Sequence, residues 1–139
     1  MRVLDAGIAW SRMFGHQLHV TWTRRQHMPC RFDELFELPA AIPLLRQPRD
    51  PRIFRALRLR RACRGFARCI DMAEASRLVA GGFDFAALAT LPSVMIRTFE
   101  RFFPNAAPFA DLVPTGDIRA KVARYEPDLG RMIGVHTRR

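Results

Sequence analysis

The chain predicts an α/β domain, a three-layer sandwich around a mostly parallel sheet, and three observations predict it. Stretches with apolar residues every three or four positions alternate with shorter strand-like stretches, in the order helix, strand, helices, strand, helix, strand. Val94-Met95-Ile96 is a short continuous apolar run, the pattern of an interior strand covered on both faces. Met132 to Val135 is a second such run, and it delivers His136, Arg138 and Arg139 at its carboxyl end. Ligands of open α/β sheets bind just beyond the carboxyl ends of the strands, so a cationic cluster there is well placed for a phosphate.

From Arg2 to Phe14, Val3, Gly7, Trp10 and Phe14 recur at helical spacing, and Leu4 and Ile8 widen the stripe. Gly15 stands where a left-handed residue closes a helix. Gln17 to Trp22 alternates Leu18, Val20 and Trp22 with Gln17, His19 and Thr21, the pattern of a half-buried strand. After a polar connection from Arg24 to Pro29, Cys30 to Phe36 offers Phe32, Leu35 and Phe36 for one short helix packed on the sheet. Pro39, Pro43 and Pro48 make the next stretch irregular. Asp50-Pro51 then suits a helix start, and a helix is expected to run to about Arg68 with Leu59, Cys63, Phe66 and Ile70 on its apolar side.

Asp71 and Glu74 form a capping pair ahead of Met72, Ala75, Leu78 and Val79, and Gly81-Gly82 ends that helix. Val94 to Ile96 follows as the parallel strand. Phe99, Phe102, Phe103 and Phe109, set among Pro104 and Pro108, read as a packed loop. Thr115 suits the cap of a helix with Ile118, Val122 and Tyr125 on one face, and Pro127 with Gly130 turns the chain into the last strand. The first helix opens at residue 2 with neither an N-cap nor a preceding strand.

At 139 residues and 49% hydrophobic content the chain is sized for one domain, 1–139, with its own core. Residues 46–70 read as a basic helical insert within it. The formal net charge is +10, but every one of the 23 basic residues except Lys121 is an arginine. That bias points to coding composition more than to an anionic partner, which disfavours nucleic acid as the explanation. No apolar run approaches the ~20 residues of a membrane span. Three cysteines, Cys30, Cys63 and Cys69, form no close CxxC pair and are expected to be reduced thiols of a cytoplasmic protein.

Two further constellations have plainer explanations. His16-x-x-His19 and His27-x-x-Cys30 supply four ligands of the kind zinc takes, yet His16 and His19 flank the start of a strand, where positions three apart face opposite sides and do not converge on one ion. The arginines at 46, 49, 52, 55, 58, 61 and 64 step around a helix by about 60° per interval, so they spread over its circumference as a solvated surface. Neither pattern assigns a metal.

On the residues, the chain resembles the N-terminal domain of the nodulation-type and α1,6-fucosyltransferase-like glycosyltransferases, whose GT-B architecture sets two Rossmann-like halves face to face. Met1 to Trp10 resembles the helix that follows a Gly-x-x-Asn-Arg loop in such enzymes, with Gln17 to Trp22 as the second strand. Cys30 to Phe36 resembles their Cys-x-x-Phe-x-Asp-Leu-Phe-like segment. Ile133-Gly-Val-His-Thr-Arg-Arg139 is similar to their His-x-Arg-Arg signature.

The resemblance implies a Rossmann-like three-layer half of a GT-B enzyme, with its first strand missing and a second domain needed to complete it. It implies transfer of a sugar from a nucleotide-diphospho-sugar of the GDP-sugar type to a glycan acceptor, independent of metal and without a cofactor. It implies Arg138 as the catalytic contact to the donor diphosphate, Arg139 as a second donor contact, and His136 as the residue that orients the cluster. No residue is assigned as general base, and Asp33 reads as a loop or helix-start residue. The alternative is a small basic nucleic-acid-binding or non-catalytic relic protein.

Overall fold

Helix α1 spans Arg2–Phe14 and contributes to two apolar clusters among the described residues. The computed structural model describes residues 1–22, 29–47 and 63–125. Leu4 and Ile8 of α1 enter one apolar cluster with Trp22, Phe32, Ile42 and Leu112. Ala6 enters a second with Ile70, Ala75, Phe85, Leu88 and Phe103, against which Ala9, Trp10 and Phe14 also pack. A helix apolar on so wide an arc is covered on more than one side, and its packing here follows from that. Gly15 closes it at φ 71°, ψ 21°, and its N–H returns to the Ser11 carbonyl. Gly7 lets the chain after the helix approach closely, because a Cβ there would stand 3.3 Å from Leu18 Cδ1.

Strand β1, His19–Thr21, pairs parallel with β2, Leu44–Arg46, in the register His19 with Leu44 and Thr21 with Arg46. Strand β3, Arg68–Ile70, pairs parallel with β4, Val94–Ile96. The two pairs are separate two-stranded sheets. The protein is thus α/β with parallel pairing, as expected. Parallel neighbours need a crossover, and between β3 and β4 it is helix α2, Met72–Ala80, followed by the 3₁₀ helix Phe85–Thr90. Asp71 caps α2 by accepting the Glu74 N–H, as its sequence predicts.

Cys30 to Phe36 supplies a single turn, closed by the N–H groups of Leu35 and Phe36 on the Phe32 carbonyl. Phe36 then bridges antiparallel to Pro114. The turn buries Phe32 completely, edge-on to Trp22 with ring centroids 5.3 Å apart. Beside it Arg31 grips Asp33, and this hydrogen bond is the main cause holding the Asp33 carboxyl down to about 2 from its ordinary 3.8; the Gln47 amide adds to it. A carboxyl held low favours the folded state above its ordinary pKa, and that contribution is lost as the folded carboxyl protonates. Thermal midpoints should therefore fall as pH drops from 3.8 towards 2, and Asp33→Asn should flatten that part of the profile in a pH series of melts.

Three expectations need correction. The helix read to about Arg68 does not extend through the described part of that stretch, where 64–67 are turn and bend and Arg68–Ile70 is strand β3. Arg46 likewise belongs to β2, so both ends of the expected helical insert 46–70 are strand, and 48–62 lie outside the described residues. Cys63 and Cys69 are joined by a disulfide with Cα atoms 5.5 Å apart, because the turn after Cys63 folds the chain back beside β3. Cys30 is the one free thiol. Helix α3, Gly116–Ala123, has no side-chain cap from Thr115, whose hydroxyl points to the Glu34 carbonyl, and Val122 and Tyr125 on its expected apolar face are 50% and 66% exposed. The expected strand Met132 to Val135 lies outside the described residues.

Candidate functional site

The carboxyl ends of β3 and β4 come together because the strands are parallel and in register, Ile70 opposite Ile96. Asp71 follows the first and Arg97 the second, and the Arg97 N–H donates to the Ile70 carbonyl at 2.9 Å. Backbone N–H donation from Glu74 is the main cause lowering the Asp71 carboxyl from its ordinary value, and Arg77 and Arg97 act in the same direction through their charge. Thr98 accepts the Glu100 N–H on its hydroxyl, which turns the chain away from the sheet. The edge thus carries one committed carboxylate and two nearby guanidinium groups at the location where α/β sheets hold anionic ligands. The helical spacing of Cys63, Phe66 and Ile70 hides this pair in the sequence, because it conceals that Asp71 and Arg97 end neighbouring strands.

A second polar cluster sits where α1 meets the phenylalanine-rich loop. Asp5 is 1% exposed, and its Oδ1 accepts from Asn105 Nδ2 and from the Phe109 N–H, each at 2.7 Å. Its Oδ2 stands 3.1 Å from Arg101 Nη2 as an ion pair, although neither Oδ2 nor Arg101 Nε makes a hydrogen bond among the described residues. Phe109 is held at φ 64°, a left-handed conformation that costs a phenylalanine about 1–2 kcal/mol. That conformation is kept because it aims the Phe109 N–H at Asp5. The Arg101 guanidinium also lies over the Phe109 ring, 5.3 Å from its centroid. The cluster ties loop to helix, with the carboxylate engaged by three groups.

Met1, Phe36, Phe109 and Leu112 line an open apolar depression of about 290 Å³ beside this cluster. Just past the C-terminal end of α1, the His16 ring stacks on Trp10 at 4.8 Å and its Nε2 donates to the Ala89 carbonyl at 2.9 Å. His19 is exposed on β1, three residues along. Among the described residues no group of three or more His, Cys, Asp or Glu side chains is arranged to hold a metal ion. No helix among them is long and apolar enough to cross a membrane.

The sequence-predicted donor contacts His136, Arg138 and Arg139 lie outside the described residues. Compared with known proteins, the chain matches no family model, no curated protein and no solved structure.

Proposed function

We propose that this chain is a glycosyltransferase-like α/β half that contacts the diphosphate of a nucleotide-sugar donor. The observation that carries the proposal is the terminal His136-Thr137-Arg138-Arg139, set directly after the apolar run Met132 to Val135. The parallel unit β3–α2–β4 supports it, since such units present ligands at strand carboxyl ends. On this reading the fold is one Rossmann-like half of a GT-B pair, and a facing half holds the rest of the nucleotide. Arg138 donates two hydrogen bonds from its planar guanidinium to diphosphate oxygens and stabilises the charge that develops as the sugar leaves for a glycan acceptor. Arg139 adds a second donor contact, and His136 orients the pair.

Calorimetric titration of the whole chain with GDP and GMP tests this. GDP is expected to bind with a Kd of order 1 mM and GMP about tenfold more weakly, since the second phosphate carries the contact. Arg138→Ala should erase that difference while leaving the melting curve in place. Equal binding of the two nucleotides by the unmodified chain would count against the proposal. A steep loss of oligonucleotide affinity with salt, with no response to GDP, is what a basic nucleic-acid-binding protein would give instead.

A further inference from the structure

We propose that Cys63 and Cys69 form a redox-modification site, opened and closed by thiol–disulfide exchange with a dithiol reductant. The proposal stands independently of the donor-contact reading.

The pair closes a short ring, with the two cysteines six positions apart and their Cα atoms 5.5 Å apart. Residues 64–68 within the ring are all exposed, Phe66 among them at 40%, and both cysteines are half-buried. Neither cysteine belongs to either apolar core cluster. Exposure of this kind gives an incoming thiolate access that a buried structural disulfide denies it. Arg64, exposed and adjacent to Cys63 in sequence, is a cation of the kind that favours a departing thiolate.

Strand β3 does not depend on the bond for its place. Backbone hydrogen bonds hold it at both ends, from the Arg68 N–H to the Ser93 carbonyl and from the Arg97 N–H to the Ile70 carbonyl. Ser93 Oγ also accepts the Ala67 N–H at 3.1 Å, and Ile70 is fully buried. Cys63 is held differently. The disulfide ties it covalently to β3, and its carbonyl accepts the Phe66 N–H. Reduction therefore keeps β3 in the sheet and removes the covalent tie between Cys63 and β3, which makes the pair a switch on the segment that enters β3.

The chemistry balances with the reductant alone. One thiolate of the dithiol attacks a sulfur of the pair and displaces the other as thiolate, and the second thiol then resolves the mixed disulfide. Two electrons pass to the pair, the reagent leaves as its own disulfide, and two protons end on Cys63 and Cys69.

Cys30 supplies an internal count. The whole chain, purified in air and then unfolded and alkylated with iodoacetamide in denaturant so that every thiol is exposed, is expected to gain one adduct by mass spectrometry. The same protein treated beforehand, while folded, with millimolar dithiothreitol is expected to gain three, with an unchanged far-ultraviolet circular dichroism spectrum. Trypsin should cut after Arg64 roughly threefold faster in the reduced protein, since release of Cys63 lowers the cost of local opening. A Cys30→Ser variant should give counts of none and two, which keeps the assignment independent of Cys30. Three adducts on the air-purified protein would overturn the proposal, as would a disulfide that resists dithiothreitol until the protein is unfolded.

Discussion

Phe32→Ala is expected to destabilise the protein by about 4 kcal/mol, read as a lowered urea midpoint at unchanged slope. Phe32 is fully buried and joins three parts of the fold that are distant in sequence. Its ring meets Trp22 edge-on at 5.3 Å and Phe36 at 5.7 Å, and its cluster includes Leu4 and Ile8 of α1. Its own N–H donates to Gln47 Oε1 at 2.9 Å, just past the end of β2. Removing the ring leaves a cavity walled by two aromatics and a helix, none of which can close it without giving up other contacts. Phe32→Leu keeps much of the volume and should cost about 1 kcal/mol. A loss below 1 kcal/mol for the alanine variant would mean that this cluster is not a packed core.

Asp5→Ala is expected to cost about 3 kcal/mol, for a different reason. The change leaves three donors, Asn105 Nδ2, the Phe109 N–H and Arg101, without the carboxylate they share. The value sits at the low end for breaking a buried ion pair because the Arg101 side chain is 36% exposed and recovers some hydration. Asp5→Asn keeps a carbonyl oxygen for Asn105 and Phe109 and loses only the charge, so it should cost about half as much. The strained φ of Phe109 also loses its compensation in the alanine variant. Hydrogen exchange should then show the Phe109 amide losing protection before the amides of α1 do. Equal losses for the two variants would place the stabilisation in the Arg101 charge rather than in the two 2.7 Å hydrogen bonds.

The parts of this fold legible in the sequence are those in which a local signal and the tertiary contact agree. Gly15 at φ 71° ends α1 where the glycine stands, and Asp71 caps α2 with the Glu74 N–H. Val94–Ile96 forms a parallel strand from an uninterrupted apolar run. The illegible parts are short strands whose pairing carries all the information. In Leu44–Arg46 three residues follow a proline, and nothing local marks a strand until His19–Thr21 lies beside it. In Arg68–Ile70 the spacing of Cys63, Phe66 and Ile70 imitates a helical stripe. Gly65, the disulfide and the Ser93 contacts instead turn the chain and set Ile70 into the core by strand alternation.

For the candidate site, sequence and structure address different residues. The chemistry-bearing cluster His136, Arg138 and Arg139 is plain in the sequence and lies outside the described residues. The juxtaposition of Asp71 with Arg97 exists only once β3 and β4 pair, so periodicity could not reveal it. Asp5 is similar. A lone carboxylate in the first turn of an apolar helix reads as a favourable charge near the helix N-terminus. Its partners at 101, 105 and 109 are about a hundred residues away in the chain.

Nitrogen-15 NMR of the arginine Nε–H groups during a GDP titration tests the donor-contact proposal most directly. GDP should shift the side-chain signals of Arg138 and Arg139 and the ring signals of His136, with the shifts lost in Arg138→Ala and much reduced with GMP. Shifts confined to other arginines, or none at millimolar GDP, would contradict it.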